Sequence, residues 1–290
     1  MRAFLNDYRV LEPKSLNQAL EALAGGEPLR PLAGGTDLMV YLYSGALAPC
    51  TFLDLSGVSE LLPPVTWNGS LKLSALASYH QVRRDPTIAA RFPLLRRAAR
   101  EVGALAIQSR GTWAGNIANA SPAADGVPAL MAYDAEVELA SRSRKRRVPL
   151  AEFFRGYKQL ELRPHELITA IHLPPPPDGR KEYYRKVGTR RFQAISKTLL
   201  AGWIVVDSER RVVDLRLILA SVAPYTLRAR ATEQELRGRA LTPELVEIAC
   251  TAIQDEIRPI DDIRSTVRYR RVVTGNLLRE FLSAGLGETE

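Results

Sequence analysis

Sulfur is scarce in this 290-residue sequence. It holds two cysteines, Cys50 and Cys250, far apart and with no Cys-x-x-Cys spacing. An iron–sulfur cluster needs four thiolates or close substitutes, so none is held by this chain. The pair reads as free, buried thiols behaving as small hydrophobes, which agrees with a cytoplasmic setting. Histidine is equally sparse: His80, His165 and His172 fall in no metal-ligand spacing, so neither zinc nor haem is expected. Long apolar runs are missing as well. The longest, "LLAGWIVV" (199–206), is sheet-core length, far short of the roughly 20 residues that span a bilayer. The opening "MRAFLNDYRV" lacks the basic-then-apolar order of a secretory leader. There is no internal repeat and no low-complexity tract.

The composition is otherwise that of a folded protein, with 46% apolar and 25% charged residues. At this length two or three compact units are expected. The net charge of +8 raises the question of nucleic acid. The densest basic run, "RSRKRR" (142–147), follows the alternating "AEVELA" and precedes "VPL", so it reads as a charged tip between two strands. Arg96, Arg97 and Arg100 read as the solvated face of a helix. No helix-turn-helix, zinc-finger or aromatic RNA-binding pattern accompanies them. A positive surface also attracts an anionic cofactor or an acidic partner subunit.

Along the chain, "SLNQALEALAGG" reads as a helix capped by Ser15, with Leu16, Ala19, Leu20 and Leu23 as its apolar stripe and Gly25 or Gly26 as its end. "MVYLYSG" continues as a helix and "TFLDLS" as a short strand. "VTWNGSLKLSA" is a hairpin on the Asn68–Gly69 turn. "DPTIAARFPLLRRAAREVG" reads as helical, "VPALMAYD" as a short helix and "AEVELA" as a strand. "ELITAIHL" ends in Pro174–Pro177, which cannot join a central sheet and marks a boundary. Beyond it, two strands about a turn at Ser208–Arg211 precede the amphipathic helices "TPELVEIACTAIQDEI" and "YRRVVTGNLLREFLSAG". The expected organisation is α+β with breaks near 57–64 and 175.

Two stretches carry little side-chain bulk. In "RPLAGGTDL" (30–38) a strand runs through Gly34–Gly35 into Thr36–Asp37 and a helix. Glycine lets main chain approach a ligand and take positive φ, Thr and Asp are good helix caps, and free N–H groups at such a corner suit a phosphate or pyrophosphate. A plain strand–turn–helix corner explains it equally well on its own. The spacing is not Gly-x-Gly-x-x-Gly and no P-loop Lys–Ser/Thr follows, which argues against ATP chemistry. "GTWAGNIANASPAADG" (111–126) has the same character, with bulk only at Trp113 and Ile117. Ser121–Pro122 fixes a turn, and Asp125 stands before a helix it could simply cap. Together the two stretches suit an extended ligand with phosphates at its centre and hydroxyls nearby.

With these blocks in view, the chain resembles the FAD-binding subunit of the molybdenum hydroxylases, the group of xanthine dehydrogenase, aldehyde oxidoreductases and aerobic carbon monoxide dehydrogenase. "PLAGGTDL" is similar to the family's first flavin loop. "GTWAGNIANASPAAD" is similar to its second, usually Thr-Ile-Gly-Gly-Asn-Ile followed by Ser-Pro-x-x-Asp. The likeness runs through "FFRGY…LRPHELITAIHLP" and "YRKVGTRRFQAIS" to "IRPIDDIRSTVRYRRVVTGNLLREFL" (257–282), nearly the whole chain in order. It implies a two-subdomain FAD-binding fold of the p-cresol methylhydroxylase / vanillyl-alcohol oxidase type over 1–57 and 58–175. A C-terminal α+β domain of antiparallel sheet plus helices would follow over 176–290.

The resemblance also implies roles. Leu32, Ala33, Gly34, Gly35, Thr36, Asp37 and Leu38 would wrap the FAD pyrophosphate through main-chain amides. Thr112, Gly115 and Asn116 would meet the phosphates and ribityl chain from the other side, and Asn119 and Asp125 the adenosine-side hydroxyls or neighbouring phosphates. Leu167 or Ile168 would cover the flavin ring, Lys186 would approach it, and Ile195 would lie near its reactive edge. The sequence departs from the family at Trp113 and Ala114, which replace an aliphatic residue and a glycine. It also departs at Leu160, often Thr, and at Gln193, where xanthine dehydrogenases carry an acid. The first two raise the alternatives that Trp113 packs under the loop or covers the adenine, and that the Ala114 methyl crowds the flavin.

The implied function is an electron-transfer subunit with no substrate-hydroxylating residue of its own. It would take electrons from a two-cluster iron–sulfur small subunit and pass them from FAD to an external acceptor. A molybdopterin large subunit would complete a dimer of heterotrimers, in the cytoplasm or peripheral at the inner face of the membrane. The substrate would be set by the large subunit. A self-contained flavin oxidase or reductase of the same fold and a basic nucleic-acid-binding protein are the competing readings.

Overall fold

The computed structural model describes residues 8–191 and 193–286. Residues 1–7, Phe192 and 287–290, which carry the opening stretch, part of the "YRKVGTRRFQAIS" block and the far end of the last expected domain, lie outside the described residues.

The first layer is a three-stranded parallel sheet. It comprises β1 (Arg9–Leu11), α1 (Leu16–Ala24), β2 (Leu29–Leu32), α2 (Thr36–Ser44) and β3 (Thr51–Asp54), with β3 between β1 and β2. The Ser15 hydroxyl accepts from the Gln18 N–H at 3.2 Å, a cap whose loss costs about 1 kcal/mol. Ala19, Leu20 and Leu23 are buried as their spacing requires. On the other side, α2 and β3 close a small core of Leu42, Leu47 and Phe52.

The second layer is an antiparallel sheet flanked by short helices. β4 (Val65–Trp67) and β5 (Leu71–Ser74) form the expected hairpin, with Gly69 at φ +69°. Then come α3 (Tyr79–Arg84), α4 (Pro86–Arg91), α5 (Pro93–Glu101), α6 (Leu105–Arg110), α7 (Trp113–Asn119) and α8 (Val127–Ala132). β6 (Glu136–Ala140), β7 (Lys145–Pro149), α9 (Leu150–Phe153), the small pair β8 (Phe154–Gly156) and β9 (Gln159–Leu160), and β10 (Leu167–Leu173) complete it. β10 sits centrally in the order β4-β5-β10-β6-β7.

The third layer is an antiparallel sheet of β11 (Lys181–Val187), β12 (Thr198–Val206), β13 (Val212–Ala220) and β14 (Leu227–Arg228), covered by α10 (Arg230–Leu236), α11 (Pro243–Glu256) and α12 (Val267–Leu286). β12 is buried on both faces, which is why "LLAGWIVV" lacks alternation. Leu200 and Ile204 join Leu278, Phe281 and Leu282 in one core, while Trp203 joins the other. The Trp203 indole donates to the Ala132 carbonyl at 2.7 Å, pinning this sheet to α8. Around that pin Arg216 and Arg228 both reach Asp134, Arg216 also reaches Asp214, and Arg228 also reaches Glu233. No helix among the described residues is long and apolar enough to cross a membrane.

Four expectations need correction. The long helix over "DPTIAARFPLLRRAAREVG" is two helices, because Phe92 leaves helical geometry (φ −130°) just before Pro93 opens α5. "RSRKRR" is only partly a tip: Lys145–Arg147 lie in β7, and the Arg146 guanidinium grips the Glu166 carboxylate at 2.8 and 2.7 Å. Both cysteines are free, but only Cys250 is buried; Cys50 is half-buried. The fourth, in the "GTWAGNIAN" stretch, belongs to the site.

Candidate functional site

The first bend leaves β2 at Leu32 and turns through Ala33 and Gly34 to Gly35. Gly35, not Thr36 or Asp37, is the N-cap of α2. Its φ of +72° suits glycine, and no side chain caps the helix. The first-turn N–H groups of Thr36, Asp37 and Leu38 therefore have no intrahelical acceptor and form the positive end of the helix dipole. Gly34 meets a harder limit. A Cβ there would lie 2.0 Å from the Arg110 carbonyl oxygen and 2.9 Å from the Gly111 Cα. The first bend is thus pressed main chain to main chain against the start of the second.

The second bend is not the extended strip its composition suggests. Thr112 caps the seven-residue helix α7, its hydroxyl accepting the Gly115 N–H at 3.0 Å. Its base is held by Tyr79 N–H to the Gly111 carbonyl and Trp113 N–H to the Ala77 carbonyl. Burial of Trp113 and Ile117, both 0% exposed, outweighs the poor helix propensity of Gly and Asn. Trp113 packs beneath the bend, its ring 4.8 Å from that of Tyr79. The Ala114 methyl is buried on the same side, so both departures are absorbed by the core. The opposite face bears exposed Gly115 and Ala118 with half-buried Asn116 and Asn119, a surface that admits close approach to main chain.

Eight buried side-chain polar atoms among the described residues lack a hydrogen-bond partner, and four belong to this place: Tyr79 Oη, Trp113 Nε1, Asn116 Oδ1 and Asp125 Oδ1. Tyr79, Trp113 and Asn116 each come within 3.2 Å of a notional Cβ on Gly126, the neighbour of Asp125. Buried polar groups are nearly always paired, so such a cluster has open capacity for a ligand or its ordered waters. The other Asp125 oxygen pairs with the Lys186 ammonium at 2.6 Å, and Lys186 also donates to the Glu101 carbonyl at 2.9 Å. Burial pushes the Asp125 carboxyl up to about 6, opposed by Lys186 and the nearby Ser196 hydroxyl. Burial likewise drives the Tyr79 phenol well above its usual range, with Asp125 and Asp37 adding to it.

The remaining expected residues fall around this centre. Asn119 Oδ1 accepts from the Tyr41 hydroxyl at 3.1 Å, and that hydroxyl accepts from the Lys158 ammonium at 3.2 Å. Asp37 is open to solvent yet ringed by protein, which raises its carboxyl pKa while Lys158 opposes. Leu167 and Ile168 begin β10, against which α7 packs, and each is about 5% exposed or less. Ile195 stands 52% exposed on the β11–β12 connection, beside Ser196. Tyr41 and Lys158 are the residues the sequence reading missed. Tyr41 shares a helix face with Asp37 at four-residue spacing, the one available signal; Lys158 sits in a turn with no local signature. An open groove of about 1000 Å³ lies at the far end of β2, lined by Gly26–Leu29, Ser141–Ser143 and His165, and holds none of the expected residues.

Two abutting glycine bends, an uncapped helix start and orphaned polar atoms over a buried Asp–Lys pair define a binding protein for an extended, phosphate-bearing cofactor. Residues 6–176 match the model of the FAD binding domain in molybdopterin dehydrogenase, and residues 182–284 that of the CO dehydrogenase flavoprotein C-terminal domain. The glyceraldehyde dehydrogenase medium chain of Sulfolobus acidocaldarius is 31% identical over 92% of this chain and 94% of its own. The carbon monoxide dehydrogenase medium chain of Hydrogenophaga pseudoflava is 27% identical over 94% of each. The solved carbon monoxide dehydrogenase of Hydrogenophaga pseudoflava superposes with a TM-score of 0.91 at 27% identity, covering 98% of both chains. The chain belongs to the FAD-binding subunits of the molybdopterin dehydrogenases, and it is an oxidoreductase subunit whose cofactor is FAD. Its residues fit that group: bare, exposed main chain at Gly115, uncapped amides at 36–38 and orphaned acceptors at Asn116 and Asp125.

Proposed function

We propose that this chain is the electron-relay subunit of a multi-subunit molybdenum hydroxylase, taking electrons from iron–sulfur clusters on a partner subunit and passing them through FAD to an external acceptor. FAD supplies the ability to exchange electrons singly or in pairs; the protein supplies position and electrostatics. The observation that carries this reading is the abutment of the two bends around the orphaned Asn116 and Asp125 atoms. Main-chain amides of 32–38 hold the diphosphate, and Thr112, Gly115 and Asn116 orient the ligand from the facing helix. Asn119 is positioned by Tyr41, and Asp125 completes hydroxyl contacts. Leu167 and Ile168 wall the ring, Ile195 borders its edge, and Lys186, paired with Asp125, approaches it. Tyr41 and Lys158 close the rim on the phosphate side.

The chain's own stock of reactive groups supports a relay role. The two free cysteines are too few to hold a cluster. In this reading chemistry on substrate falls to a molybdopterin large subunit and cluster chemistry to a small subunit with two clusters, assembled as a dimer of heterotrimers in the cytoplasm, in keeping with relatives that are medium chains of dehydrogenases. The domain division at about 57 and 175 belongs to the same reading.

Anaerobic mixing tests it. The FAD-loaded isolated chain keeps its oxidised absorbance when mixed with aldehydes, purines or other organic substrates. In the intact complex the same band bleaches after the cluster absorbance falls. Steady turnover of an organic substrate by the isolated chain would overturn the proposal in favour of a self-contained flavin oxidase.

A further inference from the structure

The turn entering α12 presents apolar side chains to water on a scaffold built to hold them there. Ile263 is 98% exposed and Ile260 68%, and one turn into the helix Tyr269 and Val272 are 40% and 56% exposed. This is an ordered segment. The Asp262 carboxylate accepts the N–H groups of Arg264 and Ser265 at 2.9 and 3.0 Å, and Asp261 accepts that of Val267. Beneath, the buried Arg270 guanidinium ties Asp262 to the carbonyls of Lys197 and Ser221. A stiff turn that spends an arginine and two aspartates on displaying an isoleucine has the form of a binding anchor, because little ordering entropy remains to be lost on docking.

The charge around the anchor is net basic. Residues 258–271 hold five arginines and two aspartates, and both aspartates are engaged within the turn. The Arg268 side chain is exposed and pairs with nothing among the described residues, while the Arg271 guanidinium donates to the Gln254 carbonyl and side-chain amide oxygen of α11. A shallow groove of about 630 Å³ runs between them, lined by Asp261, Thr266, Val267 and Val272. The face is joined to the cofactor site: Lys197 places its ammonium 4.8 Å above the Tyr269 ring, and Ile195 and Ser196 directly precede it.

We infer that this face is the docking surface for the iron–sulfur partner subunit, whose matching surface carries carboxylates around an apolar socket for Ile263. The inference rests on the relay reading above. Docking here sets the partner against the chain segment that also borders the Asp125–Lys186 pair, so the arriving electrons enter beside the cofactor rather than across the protein. The arginines steer an acidic partner into register, and the isoleucine seats it.

Iron is the readout. Tagged wild-type chain, Ile263→Leu, and the double variant Ile263→Asp with Arg268→Glu are expressed in the source cells and purified through the tag. FAD and iron are then counted per tagged chain. Wild type and Ile263→Leu carry FAD and iron in fixed proportion; the double variant keeps its FAD and melting temperature but loses at least ninety per cent of its iron. Wild-type iron in the double variant overturns the inference, as does a wild-type complex without iron. Loss instead of self-association, or of binding to phosphatidylglycerol vesicles, with iron unchanged also overturns it and reassigns the face. Wild-type chain that carries FAD but no iron is a failure of the relay reading and takes the surface with it, whereas wild-type iron retained by the double variant is a failure of the surface alone.

Discussion

The candidate cofactor site and the seam around Asp134 are both polar and partly buried, yet they are finished differently. At the seam each charge is matched: Arg216 and Arg228 share Asp134, and Asp214 and Glu233 take the remaining donors. At the candidate site, Tyr79, Trp113, Asn116 and Asp125 each keep an atom with no partner among the described residues. A saturated network holds two layers together, whereas an unsaturated one stores hydrogen-bonding capacity for something that comes and goes. Removing a residue from the first therefore harms the fold, and removing one from the second harms binding while sparing or helping the fold.

The strongest way to break this contrast is Gly34→Ala. With its methyl carbon 2.0 Å from the Arg110 carbonyl oxygen, the bends must part, and FAD affinity falls by a factor on the order of 1000, about 4 kcal/mol, in a fluorescence titration. At the seam, Glu233→Ala leaves the Arg228 guanidinium without its best-buried partner and the Leu217 N–H without an acceptor. Urea unfolding then shows a loss of about 3 kcal/mol, with FAD affinity of the folded protein unchanged.

Asp125→Asn sharpens the contrast through pH. The folded carboxyl takes its proton near 6 and the unfolded one near 3.8. The folded state thus binds more protons across that window, and the wild-type apoprotein gains stability as pH falls from 6 towards 4. The variant lacks this gain, worth up to about 2 kcal/mol, and melting curves recorded across the window reveal it. Asn116→Ala has the smallest effect and the most telling sign. FAD binds about tenfold more weakly, roughly 1.4 kcal/mol, while the melting temperature of the apoprotein holds or rises because an unsatisfied acceptor has gone.

What could be read in advance follows from the range of the forces involved. The Ser15 cap, the Asn68–Gly69 hairpin and the Gly34–Gly35 bend are local, and each formed where local chemistry puts it. The helix in "GTWAGNIAN" was hidden because its support is tertiary: the burial of Trp113 against Tyr79 overrides weak propensity. The same holds for "RSRKRR", where a run that looks solvated has its middle guanidinium turned onto Glu166. At the candidate site, the geometry of the first bend was legible from small-residue composition. The Asp125–Lys186 pair joins residues expected to act separately, and the Tyr41–Asn119–Lys158 chain joins segments far apart in sequence. No periodicity announces such meetings.

Trp113 has one further consequence. Its indole is sealed from water directly beneath the bend proposed to hold FAD, and flavins absorb where tryptophan emits. The chain therefore carries its own optical gauge: emission from a sealed indole dims as the cleft fills and recovers as it empties, so occupancy of the intact protein can be followed without a dye.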